Sequence, residues 1–98
     1  MTREVSLLVN ETPISLDYFV LGFIDHTIGG MLEALEGTGE IKTLGLAIEG
    51  DKVTINLNNE LVPANLFVSK IIKNTVFGMV SSLKSVGTID RVRIDIKR

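Results

Sequence analysis

The sequence predicts an α+β fold in which two helices pack on one face of a four-stranded antiparallel sheet. Two observations predict it. The chain resembles itself after a shift of 48 residues, and each half carries a strand, a helix and a strand in that order. The shift aligns residues 4–50 with residues 52–98, and twelve of these 47 pairs are identical. A repeat of this period indicates two supersecondary units that bury one shared core, so residues 1–98 are predicted to form a single domain.

Four strands are predicted where apolar residues occupy every second position. This alternation is seen in residues 5–9, 44–48, 53–57 and 92–96, and it is typical of strands with one buried face. Gly50-Asp51 separates the second strand from the third by two residues. A two-residue turn with glycine first favours a tight hairpin, so these two strands are predicted to be antiparallel neighbours.

Two helices are predicted at about residues 16–36 and 63–84. Ser15 is a plausible N-cap for the first, and Gly37 is a good C-terminal stop. Apolar side chains in the first helix recur at spacings of 4, 3, 4 and 4, which places them on one face. The residues that we expect to face the sheet are Val20, Ile24, Thr27, Met31 and Leu35.

Two strand–helix–strand units joined by a hairpin suggest a ferredoxin-like βαββαβ plait built from an internal βαβ duplication. A right-handed crossover in each unit gives the strand order 4-1-3-2. The strands near residues 5–9 and 53–57 would then be central. The strand carrying Arg91 and Arg93 would be an outer one, where two charged side chains discourage strand addition.

The composition argues against several classes of function. The chain contains no cysteine and one histidine, so we expect neither a disulfide nor a metal site, and no motif for a cofactor is present. Ten basic residues stand against twelve acidic ones, and all five aromatic residues fall in the predicted helices. Nucleic-acid-binding plaits need a basic surface and aromatic residues on the sheet, so no nucleic-acid partner is expected.

The chain is apolar for its size, with a mean hydropathy of +0.34. Its longest apolar run, residues 18–24, is far shorter than the ~20 residues that span a bilayer. The first residues do not resemble a secretory signal. We therefore expect a cytoplasmic protein without a membrane partner. Part of the apolar content is expected at an interface with a second copy, in a homodimer or larger assembly.

The predicted outward rows of the two helices suggest how copies associate. Among charged side chains, the first helix carries only acids and the second only lysines. Positions related by the 48-residue shift carry an acid in the first helix and a lysine in the second, or a glycine in the first and a phenylalanine in the second. We therefore expect Phe77 of one chain to lie over Gly29 of another, with ion pairs at the rim. The predicted interface residues are Tyr18, Asp25, Gly29, Glu36, Leu66, Lys73, Phe77 and Lys84.

Few residues suggest chemistry. His26 has the only side chain that ordinarily titrates near neutral pH, but no serine or acid stands three or four residues from it, where it could share a helix face with the imidazole. Asn10 and Asn58 occupy matching positions before the two helices and are candidate ligand-binding residues, although Asx-turns would also explain them. The glycine-rich loop 37–39 follows a helix, whereas phosphate-binding loops precede one.

Three functions are consistent with these features. The first is a small homo-oligomeric interaction or structural protein with no catalytic chemistry of its own. The alternative is a regulatory sensor domain that binds a small molecule at a subunit interface, similar in architecture to amino-acid-binding regulatory plaits. The third is an enzyme whose site is completed around His26 by another subunit. Because the chain shows no catalytic pair, the first function is favoured and the enzyme comes last.

Overall fold

The computed structural model describes residues 4–36, 41–83 and 87–98, except for the side chains of residues 35 and 36. The predicted stop at Gly37, the loop 37–39 and Lys84 lie outside these residues. The chain forms two layers, a sheet and a pair of helices, with overall extents of 35 × 33 × 18 Å. The elements are β1 (Glu4–Val9), β2 (Thr12–Pro13), α1 (Tyr18–Glu36), β3 (Thr43–Glu49), β4 (Lys52–Leu57), β5 (Glu60–Val62), α2 (Leu66–Ser81) and β6 (Arg91–Lys97).

The sheet has six antiparallel strands in the order β2-β1-β6-β3-β4-β5. The predicted four-stranded ferredoxin-like plait is therefore wrong, although the fold is α+β. The two strands placed at the outside, β3 and β6, pair with each other at the centre. Arg91 and Arg93 thus lie on a central strand rather than on an edge. The predicted hairpin between β3 and β4 is confirmed, and Gly50 in its turn has a φ of +59°.

Two short hairpins explain the strand order. Asn10-Glu11 and Asn58-Asn59 all have φ between 50° and 70°, which is the geometry of a type I′ turn. Each turn folds the chain back, so that β2 pairs with β1 and β5 pairs with β4. A strand has only two edges. Because β1 and β4 each use one edge for a short strand, neither can lie between two full-length strands.

The side chains of Asn10 and Asn58 hold the central strands against the other edges of β1 and β4. Asn10 Oδ1 accepts hydrogen bonds from the amides of Asp90 and Arg91, at 2.8 and 2.9 Å, and Asn10 Nδ2 donates to the carbonyl of Thr88. Asn58 Oδ1 accepts from the amides of Lys42 and Thr43, at 2.8 and 3.1 Å. Each turn therefore holds the start of a central strand against β1 or β4.

The pairing of the strands is symmetric under the 48-residue shift. Leu46 lies opposite Ile94, and the shift exchanges these two residues. The pair Val5–Ile96 becomes Val53–Ile48 under the same shift, and both pairs occur in the sheet. The two halves are therefore related by a pseudo-twofold axis that passes between β3 and β6.

Both helices cover the same face of the sheet. Asp17 and Asn65 cap them, each accepting a hydrogen bond at 2.8 Å from the amide three residues on; the cap of α1 is therefore Asp17 and not Ser15. Since β1 is parallel to β3 and β4 to β6, the helices that connect them run antiparallel to each other. The buried apolar residues of the described helices lie along one stripe of each: Ile24, Ile28 and Leu32 in α1 and Ile72, Val76 and Val80 in α2.

The side-chain bonds of Asn10 can be separated from its backbone conformation by substitution. Asn10→Gly keeps the positive φ accessible but removes three hydrogen bonds, so we expect the free energy of unfolding to fall by about 1–3 kcal/mol in urea titrations. As a control, Asn59→Gly changes a residue with the same sign of φ and should be neutral or stabilising by up to about 1 kcal/mol. Equal effects of the two variants would contradict a role for the Asn10 side chain.

Candidate functional site

The outer face of the helix layer carries most of the exposed apolar side chains. Among the described residues, seven large hydrophobic residues are exposed, and six of them are in the two helices. The exception, Leu61, lies on the opposite face of the sheet, because its cross-strand neighbour is Asn56. The six helix residues are Tyr18, Phe19, Phe23, Leu66, Phe67 and Ile71.

The two helices leave an apolar groove between them with a hollow at each end. The larger hollow, about 430 Å³, lies where the start of α1 meets the end of α2, and its walls include Phe19, Phe23, Met79 and Leu83. The phenyl rings of Phe19 and Phe23 are 5.9 Å apart and tilted by 40°. This arrangement presents aromatic edges and faces to whatever occupies the groove.

The smaller hollow, about 240 Å³, lies at the other end of the groove. It is lined by Met31 and Ala34 of α1 and by Val68, Ile71 and Ile72 of α2. Every one of these positions is related by the 48-residue shift to a lining residue of the larger hollow. The two ends of the groove therefore share these apolar lining positions, in opposite orientation.

Asp25 and Gly29, two of the predicted interface residues, are buried within one chain. The Asp25 side chain is 0 % exposed, and its Oδ1 accepts hydrogen bonds at 2.9 Å from the guanidinium of Arg98. Arg98 also donates to the backbone carbonyl of Asp25 at 3.3 Å. A Cβ at Gly29 would lie 2.6 Å from Arg98 Nη2. Arg98 thus occupies the space beside Gly29 that we expected Phe77 of a second chain to fill.

Lys73 and Phe77, the matching residues of α2, also have partners in the same chain. The Lys73 ammonium lies 2.6 Å from Asp51 Oδ1 and 5.6 Å from the centre of the Phe77 ring. The hydrogen bond from Lys73 lowers the pKa of the Asp51 carboxyl. Phe77 packs partly buried against the core. At this matched position, the acid and the lysine therefore each form an ion pair inside the chain.

The predicted outward rows point along the flanks of the helices because the buried face is rotated. At about 100° per residue, the stripe centred on Ile28 lies about 60° from the predicted one, whose centre is Met31. Phe19 is nine residues from Ile28 and so points about 180° away from the sheet. This rotation, which the apolar pattern of the sequence does not specify, accounts for the exposure of the aromatic residues. Of the predicted rows, Tyr18 and Leu66 are the most exposed, and the side chains of Glu36 and Lys84 lie outside the described residues.

The candidate ligand and catalytic residues are not gathered in a site. The side-chain oxygens of Asn10 and Asn58 each accept two backbone hydrogen bonds, as described above, so both have a structural role. His26 is exposed on α1. The described part of the chain contains no group of three or more histidine, cysteine or acidic side chains that could hold a metal ion.

The open face of the sheet is polar and pairs its own charges. Arg93 and Asp95 form an ion pair at 2.9 Å, which raises the pKa of the guanidinium. Arg91 lies 3.2 Å from Glu11. A shallow depression of about 580 Å³ on this face includes Gly45 in its lining. All five aromatic residues are in α1 and α2, so this face lacks the stacking residues of RNA-binding sheets.

Known proteins do not identify the site. No protein-family model, no curated protein and no solved structure matches the chain. Within the described residues, neither helix is both long and apolar enough to cross a membrane.

The Asp25–Arg98 pair can be tested by removing one partner. Arg98→Ala leaves a fully buried carboxylate without its guanidinium, and we expect the free energy of unfolding to fall by about 3–5 kcal/mol. The matched control is Lys73→Ala, which breaks an ion pair whose acid is solvated, and it should cost much less. Urea denaturation measures both values; a small loss for Arg98→Ala would show that the burial of Asp25 is not maintained by this contact.

Proposed function

We propose that the protein is a small homo-oligomeric interaction or structural protein that associates through the outer face of its helix layer. The observation that carries the proposal is the confinement of six of the seven exposed large hydrophobic residues in the described chain to α1 and α2. Single exposed apolar residues need no explanation, but a cluster on one face indicates an interaction surface.

The exposed apolar area is large enough for a stable dimer. Tyr18 and Leu66 are more than nine-tenths exposed, and Phe19 and Phe67 are about seven-tenths exposed. Tyr18 and Leu66 lie on the flanks, so the outer face itself carries Phe19, Phe23, Phe67 and Ile71. With about 150–250 Å² for a complete aromatic side chain, these four residues expose on the order of 450 Å². This is comparable to the apolar share, a little over half, of the ~800 Å² that each partner buries in a standard interface.

The other surfaces of the described chain are less suited to association. The sheet ends in β2 and β5, which are two and three residues long. Pro13 lies within β2 and Pro63 follows β5. Short edge strands that contain or precede proline discourage strand addition. The open face of the sheet pairs its arginines internally, so it offers little unsatisfied charge to a partner.

A second copy of the chain is the partner that fits this surface best. A twofold interface requires a surface that is complementary to itself. The groove repeats apolar lining positions at both ends, with Phe23 matched by Ile71 and Met79 by Met31. A copy rotated by 180° therefore presents aromatic ridges and apolar hollows at matching distances.

Substitution of the two aromatic anchors tests the proposal. Phe19→Glu combined with Phe67→Glu should leave a folded monomer, because both side chains are largely solvated in the single chain. We expect the dissociation constant to rise by at least about thirtyfold, which corresponds to ~2 kcal/mol. The measurement is light scattering coupled to size-exclusion chromatography, with circular dichroism to establish the fold.

Leu61→Glu is the matched control, because Leu61 is as exposed as Phe19 and Phe67 but lies on the far face of the sheet. It should leave the oligomeric state unchanged. A wild-type protein that is monomeric at tens of micromolar would contradict the proposed function. So would a control variant that dissociates as readily as the double variant.

A further inference from the structure

The geometry points to one specific arrangement of the two copies: α1 of each protomer packs over α2 of its partner, and the twofold axis runs along the groove. We propose that exposed charges on the flanks of the helices select this arrangement. The inference rests on the proposed function, since it specifies how the second copy occupies the same surface.

Two twofold arrangements are compatible with the apolar groove. In one, the axis runs along the helices, and α1 lies over the partner's α2. In the other, the axis runs across the helices, and α1 lies over the partner's α1. Because the groove has similar hollows at its two ends, the aromatic side chains reach an apolar hollow in both arrangements. The apolar surface alone therefore does not choose between them.

The charged side chains of Glu33 and Lys70 distinguish the two arrangements. Both side chains are exposed. They lie on the flanks that face away from the groove, since Glu33 is rotated about 140° from Ile28 and Lys70 about 120° from Val76 in the same sense. Met31 and Ala34 share one hollow with Val68 and Ile71, so residue 33 of α1 is level with residue 70 of α2 along the groove.

A twofold axis along the groove keeps this level and exchanges the two helices. Glu33 then meets the partner's Lys70, and Lys70 meets the partner's Glu33, which gives two opposite-charge contacts at the rim. A twofold axis across the helices instead reverses the direction along the groove. Glu33 then lies near the partner's Gly22, and Lys70 lies near the partner's Ser81. That arrangement gains no charge pair and also places the acidic helices over each other. Rim charges contribute modestly to affinity but fix the orientation of partners.

Charge reversal tests the pairing directly. Glu33→Lys and Lys70→Glu should each raise the dissociation constant about tenfold at low salt, because each creates two like-charge contacts per dimer. The double variant restores opposite charges across the interface and should return to within about threefold of the wild type. Glu60→Lys, a reversal of an exposed acid on β5, is the control and should have no effect. Analytical ultracentrifugation at low and high salt gives these constants.

The relative position of the helix ends provides an independent measurement. The chain has no cysteine, so Ser15→Cys introduces a single attachment point for a spin label just before α1. In the proposed arrangement both labels lie at the same end of the dimer. In the other they lie at opposite ends, separated by a further length of about 28 Å, the length of a 19-residue helix.

The outcomes separate the two proposals. Restoration by the double charge variant and a short label distance support the arrangement. A dimer in which the double variant is as weak as the single variants, or in which the labels are a helix length further apart, overturns the arrangement while leaving the proposed function intact. A wild-type monomer overturns both.

Discussion

The strand order of the sheet depends on which strands hydrogen-bond to the two edges of β1 and β4. The type I′ turns at Asn10-Glu11 and Asn58-Asn59 fold short strands onto the outer edges of β1 and β4. Each of these strands then has one free edge, and the Asn10 and Asn58 side chains hold the incoming central strand against it. As a result β3 and β6 are adjacent at the centre of the sheet, with β1 and β4 on either side of them.

Close to the pseudo-twofold axis, side chains of the two halves must differ because they compete for the same space. On the open face, Gly45 and Ala47 of β3 lie opposite Asp95 and Arg93 of β6, so small residues on one strand accommodate the large ones on the other. Away from the axis, the shift of 48 residues also relates a large residue to a glycine at two positions, Arg98 to Gly50 and Phe77 to Gly29. Charges are also exchanged between equivalent positions of the two halves. Glu4 pairs with Lys97 across two strands, and the equivalent residues Lys52 and Glu49 pair with the charges reversed. The two halves therefore differ in charge and size at these positions, while the cross-strand pairs between them remain complementary.

These internal contacts use the polar flanks of the helices and leave their apolar outer face to the solvent. Asp25 and Lys73 are directed towards the ends of the central strands, where Arg98 and Asp51 meet them. The opposite side of each helix then faces the groove and the exterior, and it carries the aromatic residues. Because Ile28 and Val76 are buried against the sheet, Phe19 and Phe67 on the opposite side of each helix are exposed. These residues belong to the surface through which we propose that the protein associates.

Local patterns in the sequence determined the four long strands and the two helices, but not β2 and β5, because those patterns depend on residues close together in the chain. Alternation fixed the four long strands, the Gly50-Asp51 turn fixed the antiparallel hairpin, and the apolar periodicity fixed two helices. The strand order and the rotation of the helices were decided only in three dimensions. Asn10-Glu11 and Asn58-Asn59 read equally well as loops until their neighbours are known, and a helix that is apolar around most of its circumference has no unique inner face. The sheet selected that face by burying Ile24, Ile28 and Leu32, and the partner of Asp25 lies 73 residues away in the chain, beyond the range of any local pattern.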